Sequence, residues 1–345
     1  MSYLDREIAD QPAVLERLFS RESRQIDRAV QEIRAFRPQA VFLVARGSSD
    51  NAGLYGKYLF GARNRLVVAL ATPSLFTLYR RPPDLSGCLV LAISQSGRSD
   101  DLVGVVAEGR RQGAYCLVLT NEPRSPLARE ASRVIDMRAG RERSVAATKT
   151  YTAELMALAM LSVGLDGRAR DREALARMPE AVAGTLEAGA RIEELAGRYR
   201  YAERLAVIGR GYNYATAFEV SLKLKELAYL TAEPSSSADF RHGPIAVVQE
   251  GFPVLLIAPR GRTLDDMRDL ARALDQRRAE ILAISDVSAL LRTARTALAI
   301  PPGTPEWLSP LLAVLPGQLL ARHLAAARGC PLDRPRGLAK VTRTR

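Results

Sequence analysis

Apolar residues along this chain come in short unbroken runs, and between the runs the pattern changes to a helical repeat. AVFLVA at 40–45, LVVALA at 66–71, LVLAI at 89–93 and CLVL at 116–119 are rich in branched side chains, and polar or helical segments follow them. Runs of that length predict buried strands. Helical spacing follows residue 50 through 58 and again from 100 to 112. Branched apolar runs alternating with helices of about ten to fifteen residues predict βαβ units on a parallel sheet covered on both faces. Ahead of them, Ile8, Leu15, Leu18, Phe19, Ile26, Val30, Ile33 and Phe36 recur near helical spacing among charged residues, so residues 1–36 read as a helical lead-in arm.

The pattern occurs twice. VFLVARG at 41–47 aligns with LAVIGRG at 205–211, so that Arg46 and Gly47 meet Arg210 and Gly211 at an offset of 164 (210 − 46). The same offset lays LAISQSGR at 91–98 over LLIAPRGR at 255–262, and AYCLVLT at 114–120 matches AEILAIS at 279–285 at 165. Collinear matches in strand, loop, strand order predict an α/β protein built of two tandem doubly wound domains, each with a Rossmann-like or flavodoxin-like parallel sheet. The expected boundaries are 1–165 for the arm and first domain, 166–330 for linker helices and the second domain, and 331–345 for a tail.

Composition narrows the partners. A surplus of 50 Lys and Arg over 38 Asp and Glu gives a net charge of +12, but the arginines are scattered and aromatics are only 6%. Neither a basic arm nor a base-stacking surface is indicated, which argues against nucleic acid and leaves anionic metabolites as the expected partner. No apolar stretch approaches the length of a membrane span and no secretory signal is visible, so no membrane association is expected. Cys88, Cys116 and Cys330 form no C-x-x-C pair, which points to a reducing, cytoplasmic setting. No cluster of His and Cys suggests a metal, and no cofactor is expected.

The candidate chemistry lies where the two copies differ. At 94–99 the first copy reads Ser94-Gln95-Ser96-Gly97-Arg98-Ser99 between a strand and a helix, which places hydroxyls, backbone N–H groups and a helix N-terminus around a volume suited to phosphate. Gly97 is expected to let the backbone approach the ligand. An ordinary polar βα loop would have the same composition. The second copy has Ala258-Pro259-Arg260 instead, losing two hydroxyls and one backbone donor. It carries Glu219, Lys223 and Glu226 on one side of a helix from about 214 to 230, a spacing that also fits a plain solvated face. Residues 232–240 read as a polar loop leading to His242, which sits beside Gly243 and Pro244 and is of a residue type suited to proton transfer. His323 falls on a helix and reads as a packed or surface residue. The prolines and glycine near the C-terminus suit a mobile basic tail or, alternatively, one that folds over a site and brings Lys340 to it.

Seven strings in order, REIADQP at 6–12, ARGSSDNA at 45–52, AISQSGRSDDL at 92–102, GRERSVAATKTY at 140–151, GRGYNYATAFEVSLKLKE at 209–226, RHGPIAVV at 241–248 and LDRPRGLAKVT at 332–342, resemble the sugar isomerase (SIS) domain family. The likeness is greatest to the isomerase half of glucosamine-6-phosphate synthase and to the stand-alone, synthase-like glucosamine-6-phosphate deaminases. It implies that Ser48, Ser49, Ser94, Gln95, Ser96 and Ser99 hold a phosphate, with Val145 and Glu219 as further substrate-binding positions. Catalytic roles would fall to Glu226, His242, Lys340 and Lys223. Glu226 is implied to move the proton between C2 and C1, His242 to open the sugar ring, and Lys340 to form a Schiff base or stabilise an oxyanion.

Arg46 and Ala147 stand where the synthase has Cys and Ser, and the chain begins Met1-Ser2 without the synthase's glutaminase cysteine. The expected reaction is therefore conversion of glucosamine 6-phosphate to fructose 6-phosphate and ammonia, by a homodimer. A deaminase or deglycase for another phosphorylated amino sugar or fructosamine is the second reading. A sugar-phosphate sensor is the third, disfavoured because a sensor needs the phosphate loop but not the acid and base.

Overall fold

The computed structural model of the chain describes residues 1–340. Helices α1 (Tyr3–Ala9) and α2 (Gln11–Phe36) lead into β1 (Ala40–Val44), α3 (Ser48–Asn64), β2 (Val67–Leu70), α4 (Ser74–Thr77), β3 (Cys88–Ser94), α5 (Asp100–Arg111), β4 (Tyr115–Thr120), α6 (Pro126–Arg129), β5 (Arg133–Asp136) and α7 (Lys149–Asp166). After α8 (Ala169–Ala176), α9 (Met178–Ala188) and α10 (Ile192–Ala196) come β6 (Arg204–Gly209), α11 (Asn213–Ala228), β7 (Thr231–Ser236), α12 (Ser237–Arg241) and β8 (Pro253–Ile257). The chain continues through α13 (Leu264–Gln276), β9 (Glu280–Ser285), α14 (Ser288–Leu291), β10 (Thr296–Ala299) and α15 (Ser309–Ala327).

The strands make two five-stranded sheets, ordered β2-β1-β3-β4-β5 and β7-β6-β8-β9-β10. Every neighbouring pair is parallel. Counted from its own first strand, each sheet has the same order, so the repeat in sequence is a repeat in topology. Residues cluster into two compact units. One holds Ala13–Glu142 and Lys149–Arg177 with Ala339 and Lys340, around the first sheet; the other holds Met1–Pro12, Arg143–Thr148 and Met178–Leu338, around the second.

In the first unit Val90, Ala92, Leu102, Val105, Val106, Cys116 and Val118 pack as one core, with α5 contributing the face that its apolar spacing foretold. In the second, α13 turns Leu264, Met267, Leu270 and Leu274 onto Ile208, Val254 and Leu256. Central strands are buried on both faces, and for that reason they read as continuous apolar runs. Residues 232–240 correct the sequence reading of a polar loop: they form β7 and α12. As an edge strand β7 needs apolar burial along only part of its length, and an edge tolerates Pro234.

The approach of α15 to α11 is close: a Cβ on Gly317 would run into Val220. Among the described residues no helix is long and apolar enough to cross a membrane.

Candidate functional site

In a sheet ordered 2-1-3-4-5 the direction of strand addition reverses between β1 and β3, so the loops after those two strands border the crevice where such folds bind ligands. Those loops carry Ser48, Ser49 and residues 94–99. Ser48 opens α3 behind Gly47, and Ser49, next to it, donates its hydroxyl to Glu154 Oε1 of α7 at 2.7 Å. The Ser49 proton is thus already committed.

In the 94–99 loop Ser94 Oγ accepts from the Gly97 N–H at 3.1 Å, closing the turn on itself. Gly97 has φ +59°, and a Cβ there would fall on the Ser125 side chain. The space a side chain would need at Gly97 is taken by Ser125, so the turn requires glycine there on packing grounds as well. The loop is held from behind by Asn121 N and Leu127 N, which donate to the carbonyls of Gln95 and Gly97 at 3.1 Å each. Ser96 remains half-buried, and Ser99 caps α5 without spending its side chain. These two hydroxyls lie at the start of a 12-residue helix, where its dipole favours negative charge. Arg46, the departure from the synthase-like strings, pairs with the buried Asp101 of α5 at 2.8 Å.

The matching corner of the second unit is filled from within. Arg260 N donates to Asp286 Oδ1 at 2.6 Å and Arg262 N to Glu306 Oε1 at 3.0 Å. A Cβ on Gly261 would meet the Glu306 carboxylate. Two backbone donors that could face an anion are spent on the chain's own carboxylates.

Chemistry in the second unit concentrates on α11. Glu219 and Lys223 have fully buried side chains, and Glu226 is 21% exposed. Lys223 Nζ lies 2.5 Å from Glu226 Oε2 and 3.5 Å from Glu219 Oε1. The trio is therefore no solvated face, because an ammonium in that setting requires anionic partners to remain buried. Glu226 is the member that opens to solvent.

His242 caps α12 and is exposed. The turn before it is fastened to α13: Arg241 Nη1 donates to Asp266 Oδ1 at 2.7 Å, Arg241 Nη2 to the Asp266 carbonyl at 2.6 Å, and Ser237 Oγ to Asp266 Oδ2. Burial works to raise the Asp266 carboxyl, but the bonds from Ser237 and Arg241 outweigh it and hold it below its ordinary value.

The C-terminal segment is docked through Leu338. Asp333 accepts from Tyr3 N at 3.1 Å and Leu4 N at 2.9 Å with its carboxylate, and from Val145 N at 3.1 Å with its carbonyl. Glu7 of α1 accepts from Arg143 N and Ser144 N, so Val145 sits in a segment fixed from both sides. Arg336 N donates to the Tyr229 hydroxyl at 2.8 Å, and its guanidinium stacks 4.1 Å over that ring. The last five residues of the tail, 341–345, including Val341 and Thr342 of the LDRPRGLAKVT string, lie outside the described residues.

Lys340 Nζ pairs with Glu142 Oε2 at 2.8 Å, and Gln95 Nε2 donates to the same oxygen at 3.0 Å. Sequence reasoning missed Glu142, since an acid between Arg141 and Arg143 reads as a solvated charge run. It also missed Glu154, Asp286 and Glu306, whose partners are distant in sequence. Among the described residues no group of three or more His, Cys, Asp or Glu is placed to hold a metal ion.

The SIS domain model matches residues 35–164 and 199–328, the same displacement of 164 (199 − 35) as the internal repeat. The chain is 35% identical to the glutamine--fructose-6-phosphate aminotransferase (isomerizing) of Thermus thermophilus over 98% of its own length and 58% of that protein's. It thus spans little more than half of that relative. Among solved structures, a candidate phosphosugar isomerase from Silicibacter pomeroyi is similar at 32% identity and TM-score 0.85, covering 96% of this chain and 99% of that one. The C-terminal domain of the glucosamine-fructose-6-phosphate aminotransferase of Francisella tularensis is similar at 26% identity and TM-score 0.88, covering 97% and 98%. With two matched domains and relatives across nearly its whole length, this chain belongs to the SIS domain family.

Proposed function

We propose that the chain is a phosphosugar aldose–ketose isomerase that acts as a deaminase, converting glucosamine 6-phosphate and water to fructose 6-phosphate and ammonia. The observation that carries the reading is the α11 trio: a carboxylate open to solvent, Glu226, hydrogen-bonded to a fully buried lysine. A base that must take a proton from carbon and return it to the neighbouring carbon needs access on one side and a fixed, polar support on the other. Glu226 has both.

In the proposed sequence His242 assists opening of the pyranose by moving protons at the ring oxygen and O1. Glu226 takes the C2 proton of the open aldose, leaving an enolamine across C1 and C2, and returns it to C1. Water then adds to the resulting C2 imine, and ammonia leaves to give the ketose. Phosphate capture is assigned to the first repeat through Ser48, Gln95, Ser96 and Ser99. Proton transfer is assigned to the second repeat, and the tail after residue 331 supplies Lys340. The ARGSSD and ERSVAATK strings, with Arg46 and Ala147, support the deaminase form of the reaction. A homodimer is the proposed assembly, to be checked by light scattering.

The test is to incubate the protein with glucosamine 6-phosphate and assay ammonia and fructose 6-phosphate together. Stoichiometric appearance of both is expected. Binding of the sugar phosphate without either product would replace the enzyme reading with that of a sensor.

A further inference from the structure

Glu142 joins the two segments of the first unit to which the proposed reaction gives work. Its carboxylate is fully buried. Oε1 accepts from the Thr150 N–H at 3.2 Å, at the start of α7, which anchors one edge of the group to the helix. Oε2 is turned the other way and accepts from Gln95 Nε2 of the 94–99 loop at 3.0 Å and from Lys340 Nζ at 2.8 Å. Those donors lie 47 and 198 residues away in sequence.

Helix capping accounts for the first oxygen and not for the second. A carboxylate needed only to close the start of α7 has no reason to direct its other oxygen at a lysine, whose side chain is 24% exposed. Burial makes the pairing strong for a physical reason: the anion has no water to turn to, so the charge-assisted bond from Lys340 is not easily exchanged for solvent.

We infer that Glu142 is a positioning residue that seats the Lys340 amine and registers it, through Gln95, to occupancy of the phosphate loop. The inference rests on the proposed function for the part Lys340 plays in turnover, though not for its seat. Gln95 is the shared element. Its amide nitrogen donates to Glu142 Oε2, and an anion held between Ser96 and Ser99 would compete for it. When it does, Oε2 loses one donor, and the hold on Lys340 changes. Phosphate capture thereby reaches the tail amine through two hydrogen bonds.

The experiment measures the rate at which Lys340 is acetylated by a limiting amine-reactive ester, read by peptide mass spectrometry on the full chain, with and without inorganic phosphate. Thermal melts and kcat and KM for glucosamine 6-phosphate are measured in parallel. Glu142→Gln, which keeps an oxygen for Thr150 but removes the charge, is expected to raise Lys340 labelling about fivefold and to lower kcat by about 10–100-fold with KM within about threefold. Glu142→Asp should restore part of the protection. Phosphate should alter the labelling of wild type and not that of Glu142→Gln.

Equal labelling of wild type and a folded Glu142→Gln overturns the inference whatever the activity. If labelling behaves as expected while wild type forms neither product, the seat stands and the proposed reaction falls. Should Glu142→Gln not fold, Gln95→Ala decides: loss of the phosphate effect on Lys340 supports the coupling, and its retention overturns it.

Discussion

The corner after β3 and the corner after β8 occupy equivalent places in equivalent sheets, yet they are built for opposite states. In the first, the turn is closed by a neutral serine, Ser94, and the hydroxyls of Ser96 and Ser99 remain at the head of α5. In the second, Asp286 and Glu306 accept from the backbone N–H groups of Arg260 and Arg262. A strand running into a helix supplies a concavity of donors by its geometry alone. Whether that concavity is available depends on side chains that arrive from elsewhere. The lesson is that topology duplicates a potential site, and local chemistry decides which copy keeps it.

The largest effect is expected in the second repeat. Glu226→Gln should lower turnover of glucosamine 6-phosphate about 1,000-fold in a protein that still folds but melts at a lower temperature, because the amide keeps a hydrogen bond to Lys223 but neither neutralises the buried ammonium nor accepts a carbon-bound proton. Full activity in that variant would remove proton transfer from α11 and dissolve the division of labour between the repeats.

Next come the two equivalent glycines. Gly97→Ala places a methyl on Ser125 at a positive φ and should cost about 2–4 kcal/mol with a rise in KM. Gly261→Ala meets the Glu306 side chain at Cγ and the carboxyl, which the Arg262 N–H holds in place, and should cost about 1–3 kcal/mol with KM unchanged. Equal effects on KM, measured against denaturant stability, would show that the corners are not functionally distinct.

A smaller effect is expected when the built-in anions are removed. Asp286→Ala and Glu306→Ala should each cost about 1–2 kcal/mol in urea unfolding. Added phosphate or sulfate should recover part of the loss in the double variant more than in wild type. Absence of that recovery would mean that the carboxylates are not filling an anion position.

The smallest effect concerns pH. Both histidines of the chain, His242 and His323, fall in the second repeat. Burial, helped by the Arg322 guanidinium, pushes His323 below its ordinary value of 6.5. Arg322 Nη1 lies 2.9 Å from His323 Nδ1 and can only donate, which requires the neutral ring. The unfolded chain therefore binds the proton more readily than the folded one, so stability is lost as pH falls below 6.5 through the folded value. His323→Gln should flatten stability profiles in that window. An unchanged slope would place the titration elsewhere.

How much of this was legible depended on where a residue's partners lie. Strands β3, β4, β8 and β9 announced themselves because a strand buried on both faces must be apolar nearly throughout, whereas the apolar run at 66–71, read as a buried strand, forms the edge strand β2, whose residues are exposed or half-buried. The edge strand β7 did not announce itself, since Glu233, Pro234 and Ser235 are tolerable where one side of the ladder is unpaired. The spacing of Glu219, Lys223 and Glu226 fixed their common side of a helix but left open a solvated face, because spacing carries no information about what covers it.

From sequence alone came the two repeats, the loop that retains its serines, and the helix that carries two acids and a lysine. These are properties of periodicity and composition, which local backbone geometry enforces. Only the tertiary structure revealed that Lys223 is buried, that Ser49 is committed to Glu154, that the second corner is closed by Asp286 and Glu306, and that Glu142 meets both Gln95 and Lys340. Each of those depends on contacts between segments far apart in the chain, and the free energy of burying a charge is set by the groups around it rather than by its neighbours in sequence.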